Sequence, residues 1–178
     1  MIVVSNAGPL IALGKLGQLG LLLKLYKEII IPREVYNEVV VNGIRLGASD
    51  AFAVKRLVDK GRVLVKSVSL SEEDHRLLDI IDVGEVEVIA LAKEKETNWV
   101  LIDNEHARKI ARLQGLPLKG TIGILIEGFK KGLLSLEEFE FLITEIQARP
   151  KLWISERLCD HALRVISEED GRSTKGEF

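Results

Sequence analysis

The sequence predicts an α/β fold: a parallel sheet of about five strands with helices on both faces and further helices at the C-terminal end. Two observations lead there. Short β-rich runs alternate with helical patterns along most of the chain, the signature of βαβ units. The runs are also almost continuously apolar, and a strand buried on both faces needs no polar alternation.

Each element has its own signal. IVVS (2–5) reads as a short buried strand, and GPLIALGKLGQLGLLLKLY as helical material punctuated by Gly14, Gly17 and Gly20. EIIIP (28–32) is the second strand. Pro32 opens the helix REVYNEVVV, where a missing N–H costs nothing. After a glycine-containing loop at 43–47, SDAFAVKRLVDKG has a Ser49 cap and a Gly61 stop. RVLVKSV (62–68) is the third strand, and an acidic turn led by Ser71 opens a helix through Ile81. Gly84 marks a break before EVEVIALAKEKE; WVLID (99–103) is the fourth strand, followed by the helix NEHARKIARLQG and a brief fifth strand in LPLKG. Helices are predicted over 121–131, 135–147 and about 154–167. Residues 1–167 form one domain in this reading, and 168–178 a polar, frayed tail.

Composition narrows the function classes. The chain has 178 residues, 47% hydrophobic and 29% charged, which is ordinary for a soluble globular protein with one core. A net charge of −2 gives no general pull toward nucleic acid or anionic membrane, so RNA binding needs a local basic patch or metal ions offsetting acids. The single Cys159 excludes an internal disulfide and a cysteine-rich zinc site. His75, His106 and His161 are scattered, with no HExxH spacing. No signal peptide or membrane span is expected, and a cytoplasmic location is. Abundant Lys and Glu with scarce Gln, Cys and Met lean toward a thermophile.

In an open parallel sheet, ligands gather beyond the carboxyl ends of the strands. Asn6 and Asp103 both follow strands and should reach that edge, although Asp103 could equally cap the next helix. Glu38 lies three residues after the core-facing Val35, at the edge of that stripe. Glu85 aligns with Val88, Ile89 and Ala92, on or beside an apolar helix face; a first-turn glutamate swung toward solvent explains it as well. Glu87 fits the solvated reading better. A carboxylate at a core edge is costly unless something positive pairs with it. No inward Lys or Arg is evident from the pattern, so Mg²⁺ or Mn²⁺ is the economical partner.

The blocks VVSNAGPLIAL, PREVYNEVV and VGEVEVIALAKEKETNWVLIDNEHARKIARLQGLPLKGTIGIL, with the helical tail, resemble PIN-domain proteins, and most closely the archaeal and bacterial branch with VapC-like members. The resemblance covers the chain to about residue 165. It implies a three-layer α/β/α fold with strand order 3-2-1-4-5, an acidic cluster binding Mg²⁺ or Mn²⁺, and metal-dependent hydrolysis of RNA phosphodiesters. Carried over position by position, it places the catalytic and metal-binding set at Asn6, Glu38, Glu85 and Asp103. Thr121 matches a small hydroxyl position near the cluster, and Glu105 is either a further acidic oxygen or solvent-facing.

Asn6 departs from the pattern, since nuclease-competent relatives usually carry Asp there. An Asn carbonyl can ligate a cation, but it removes one negative charge and cannot act as a base. The alternative is therefore a catalytically weak or inactive module that binds RNA or protein. Arg108, Lys109 and Arg112 on the helix after Asp103, with Lys119 nearby, could contact RNA, against the plainer reading of Arg108 and Arg112 as a solvated i,i+4 face. The toxin likeness further implies a small antitoxin and a homodimer. Phe139, Leu142, Trp153 and Leu158 could help dimerise but are read first as core. A phosphoacceptor receiver domain fails, because VVSNAG lacks an acid pair and RVLVKSVSL ends without an acceptor Asp.

Overall fold

The computed structural model describes residues 1–173. Two compact units follow one another along the chain: Met1–Thr121, and a second from Ile122 onward.

The first unit is built on a parallel sheet. Strand β1 (Ile2–Ser5) leads to helices α1 (Ala7–Lys15) and α2 (Leu19–Leu25), then β2 (Glu28–Pro32). The apolar run that reads as one helical segment is two helices meeting at 120°. They turn at Gly17, whose φ of 68° is a left-handed conformation that favours glycine. Leu10, Leu13 and Leu22 fill the core from this pair. No single helix among the described residues is long and apolar enough to cross a membrane.

After β2, α3 (Arg33–Tyr36) runs without interruption into a π-helical turn (Asn37–Asn42) and α4 (Gly43–Arg45). The loop predicted at 43–47 is thus largely helical. The π turn is not visible in a 3.6-residue pattern, because it widens the helix locally by one residue. It buries the adjacent pair Val39 and Val40 and leaves Glu38 exposed. Next come α5 (Ser49–Asp59), β3 (Leu64–Lys66), α6 (Glu72–Leu77), α7 (Val83–Glu94), β4 (Trp99–Leu101), α8 (Glu105–Leu113) and β5 (Leu118–Lys119). Gly84 is not a break but part of the first turn of α7.

The strand order is β3-β2-β1-β4-β5, all pairs parallel, with Val4 opposite both Ile30 and Val100. The chain winds outward from β1 to β3, then crosses to the far side of β1 for β4 and β5. Right-handed crossovers therefore place helices on both faces of the sheet. The reversal leaves a topological switch point between β1 and β4, where α/β sheets bind ligands. Val3, Val4, Ile30, Ile31, Val100 and Leu101 are fully or almost fully buried, as two-sided coverage requires.

In this unit Asp74, 4% exposed, accepts a 2.9 Å ion pair from Lys93 and ties α6 to α7. Burial opposes its ionisation, but hydrogen bonds from Ser71 and Lys93 outweigh that and hold its carboxyl below the usual range.

The second unit carries the rest of α9 (Thr121–Lys130), α10 (Leu136–Gln147), a 3₁₀ turn (Pro150–Leu152) and α11 (Glu156–Ser173). Phe139, Leu142, Ile143 and Ile146 of α10 are buried, as are Cys159, Ala162 and Ile166 of α11. The core reading holds for Phe139 and Leu142 but not for Trp153 and Leu158, which are 90% and 46% exposed. Trp153 ends the 3₁₀ turn with φ 55°, so its backbone directs the indole outward instead of continuing the helix. The helix expected to end near 167 continues to Ser173, and the remainder of the tail lies outside the described residues.

Candidate metal centre

Parallel topology brings the carboxyl ends of β1, β2 and β4 to one edge, and the residues following those strands with them. At β1, the Asn6 N–H donates to the Leu101 carbonyl at 2.8 Å, which ties the turn after β1 to the end of β4. Asn6 is 7% exposed, and its side chain does not cap α1.

Asp103, half-buried just beyond β4, is held firmly. The Thr121 backbone N–H donates to its Oδ1 at 2.7 Å, and the Thr121 hydroxyl to its Oδ2 at 2.6 Å. The fit is close. A Cβ on Gly120 would lie 2.8 Å from Asp103 Oδ1, and one on Gly8 would lie 3.4 Å from Oδ2, so only glycine at 120 admits this carboxylate. Burial pushes the Asp103 carboxyl up; the Thr121 hydrogen bonds and the nearby Arg108 charge pull against it. Arg108 is the inward cation that the helical pattern did not reveal. It donates to the Ile102 carbonyl at 2.7 Å and is itself half-buried. Asp103 does not cap α8; that role falls to Asn104, whose Oδ1 accepts from His106 and Ala107.

Glu38 and Glu85 form a second group. A Cβ on Gly84 would stand 3.7 Å from Val35 Cγ2 and 3.9 Å from Glu38 Oε2, so α3 and the following π turn lie against the first turn of α7. Glu85 is 7% exposed among the apolar residues Val88, Ile89 and Ala92, as its spacing predicts, and accepts the Asp82 N–H at 3.3 Å. Although Glu38 as a residue is exposed, its carboxyl end lies against the first turn of α7, and that local burial, then Asp82 and Glu34, pushes it up. Burial likewise raises Glu85, with Asp82 and Glu38 adding to it and the Asp82 N–H opposing. Asp82 is the residue that reading the helix stripes missed. Its D-x-x-E spacing to Glu85 was a legible capping signal. Glu87 is not simply solvated either: its Oε2 accepts the Glu34 N–H at 3.0 Å, joining α7 to the start of α3.

The remaining expected positions separate. Glu105 is solvent-facing, and pairs with Lys109 at 3.5 Å across an exposed helix face. Arg112 is exposed on the same helix. Lys119 lies on β5 with its ammonium 4.0 Å from the Trp99 ring centre and 5.8 Å from that of Tyr26, a cation–π arrangement that turns it back along the sheet.

Among the described residues no Lys or Arg pairs with Glu38 or Glu85. Raised, like-charged carboxylates without a counter-ion, all oxygen donors, fit a hard divalent cation. In this side-chain arrangement no three acids, histidines or cysteines among the described residues stand close enough to share one ion. Closing on an ion needs side-chain rotation, which the exposed Glu38 permits.

Fold and edge together define a class: an α/β protein with acidic residues at its topological switch point. The family model DUF3368, described as a PIN domain, matches residues 2–168, and the chain belongs to that family. No curated protein matches it. A solved domain of a functionally unknown protein from Methanocaldococcus jannaschii DSM 2661 is 18% identical, over 67% of this chain and 89% of that one, with a TM-score of 0.46.

Proposed function

We propose that the chain is a Mg²⁺- or Mn²⁺-dependent endoribonuclease of the VapC-like PIN type. The observation that supports it most is the uncompensated Glu38–Glu85 pair at the same sheet edge as the clamped Asp103. These three carboxylates, with the Asn6 carbonyl, would hold the ion. Bound there, a divalent cation lowers the pKa of water and neutralises charge on a phosphoryl group. The chain's own part is to keep Asp103 fixed through Thr121 and to exclude water from its buried side. Glu38 is left free to adjust. The exposed cations of α8, Lys109 and Arg112, with Arg108, lie where an RNA backbone could run. A small antitoxin presenting a basic side chain suits the same acidic edge. The exposed Trp153, Phe141 and Leu158 suit a homodimer contact, and a lone cysteine suits the cytoplasm.

The second reading, a quiet RNA- or protein-binding module, draws on Asn6 and on Arg108, which together leave the Asp103 side short of negative charge. Mn²⁺-dependent cleavage of RNA by the wild type, Asn6→Asp and Asp103→Ala separates the two. Cleavage that Asn6→Asp enhances and Asp103→Ala removes is the expected result. No cleavage even by Asn6→Asp would sink the nuclease reading.

A further inference from the structure

Resting on that reading, we propose that Arg108 and Arg112 form a two-guanidinium subsite for backbone phosphates flanking the scissile one. The substrate is then an oligonucleotide with at least one further phosphodiester, not an isolated one. Arg108 is anchored by a single bond to the Ile102 carbonyl at 2.7 Å, beside Asp103 and the Gly120 turn. Among the described residues that bond engages one of its five N–H donors and leaves the rest of the fork for an acceptor. Arg112 follows at i+4, on the same face and about 6 Å further along the axis.

Two like charges in this relation destabilise a helix. Here Glu105 is paired with Lys109, and among the described residues neither arginine has an ion pair. Burial, with the Arg112 charge, weakens protonation of Arg108, while the Asp103 and Glu105 charges favour it. An arginine pair whose inner member sits beside Asp103 with most of its fork unused, and whose outer member is exposed, is suited to successive anions on one strand. Guanidinium forks match phosphate oxygens bidentately. Of the other cations expected to contact RNA, Lys109 pairs loosely with Glu105 across an exposed face and Lys119 is turned onto the Trp99 ring.

The test uses the full chain and a single-stranded RNA oligonucleotide in which one neutral methylphosphonate is walked along the backbone. Affinity is read by fluorescence anisotropy with Ca²⁺, and cleavage separately with Mn²⁺. The wild type should lose roughly tenfold in affinity at one or two positions. Arg112→Gln, a change at an exposed residue, should lose a similar factor with the unmodified RNA and become indifferent at one of those positions. Its slope of log affinity against log salt should shrink by about 0.7. Arg108→Lys, which keeps the charge but not the fork, should blunt the response at the neighbouring position. The proposal is overturned if Arg112→Gln keeps wild-type affinity and slope, or if it weakens yet stays as sensitive as the wild type at every position. A patterned response without any cleavage would remove the nuclease reading and leave the subsite standing; cleavage with a flat response would do the reverse.

Discussion

The two halves of the acidic edge are built on opposite principles. Asp103 is over-determined: two Thr121 donors, the Arg108 charge and two glycines that permit close approach fix one carboxylate in one place. Glu38 and Glu85 are under-determined, with same-sign neighbours in Asp82 and Glu34 and no cation among the described residues. The first half is finished by the protein alone. The second is electrostatically incomplete, and in the proposed reading a bound cation completes it. Substitutions in the first half should therefore damage folding and function together. Those in the second should improve stability while removing function.

The sharpest break of this contrast is Asp103→Asn. It keeps the size of the side chain but removes a charge that the proposed metal centre would use, so on that reading Mn²⁺-dependent cleavage should fall by about 10²–10³-fold. Thermal melting shows whether the fold survives. Next comes Gly120→Ala, which drives a Cβ to 2.8 Å from Asp103 Oδ1. Overpacking of this kind costs about 2 kcal/mol, a drop of roughly 4–8 °C in Tm. A Gly120→Ala protein that melts with the wild type would show that the turn yields, and the rigid half would lose its rigidity. Thr121→Val removes only the hydroxyl donor and leaves the backbone one. It should cost about 1 kcal/mol, and by withdrawing a bond that favours the ionised form it should raise the Asp103 carboxyl further. NMR titration of the carboxyl carbon reads that shift, and a fall would contradict the clamp.

The rigid half was the less legible one in the sequence. Strand order depends on sheet-wide pairing, yet IVVS and EIIIP were visible with their observed bounds, because buried strands carry an apolar signal with few interpretations. β3, β4 and β5 are shorter than their apolar runs; at their carboxyl ends pairing stops where the neighbouring strand ends, with Lys66 opposite Pro32, Leu101 opposite Ser5 and Lys119 opposite Leu101. Glu85 could be placed by its i+3, i+4 and i+7 partners alone, since helix periodicity is local. What surrounds Asp103 could not. Thr121 lies 18 residues away, and Arg108 reaches back past its own helix N-terminus to Ile102. No periodicity records a contact made by loop geometry. The π turn escaped for a related reason: a single extra residue per turn moved Glu38 off the stripe that Val35 and Val39 suggest, although the segment stayed helical.

The gentlest test addresses the incomplete half. Glu85 ionises later in the fold than in the unfolded chain, because burial and the charges of Asp82 and Glu38 raise it. As pH climbs through its ordinary value of 4.5, the unfolded chain therefore sheds the proton first, and stability falls over that interval. Above that interval, without metal, the loss persists. Glu85→Gln abolishes it while its amide oxygen can still accept the Asp82 N–H. The variant should melt a degree or two above wild type at pH 7 in EDTA, on the order of 0.5 kcal/mol, and the advantage should vanish below about pH 4.5. Mn²⁺ should reverse the order. An ion that binds only the folded state raises the wild-type Tm by mass action, and a site that has lost a carboxylate gains less. A variant less stable than wild type in EDTA would mean that Glu85 is compensated after all, and the contrast between the two halves would collapse.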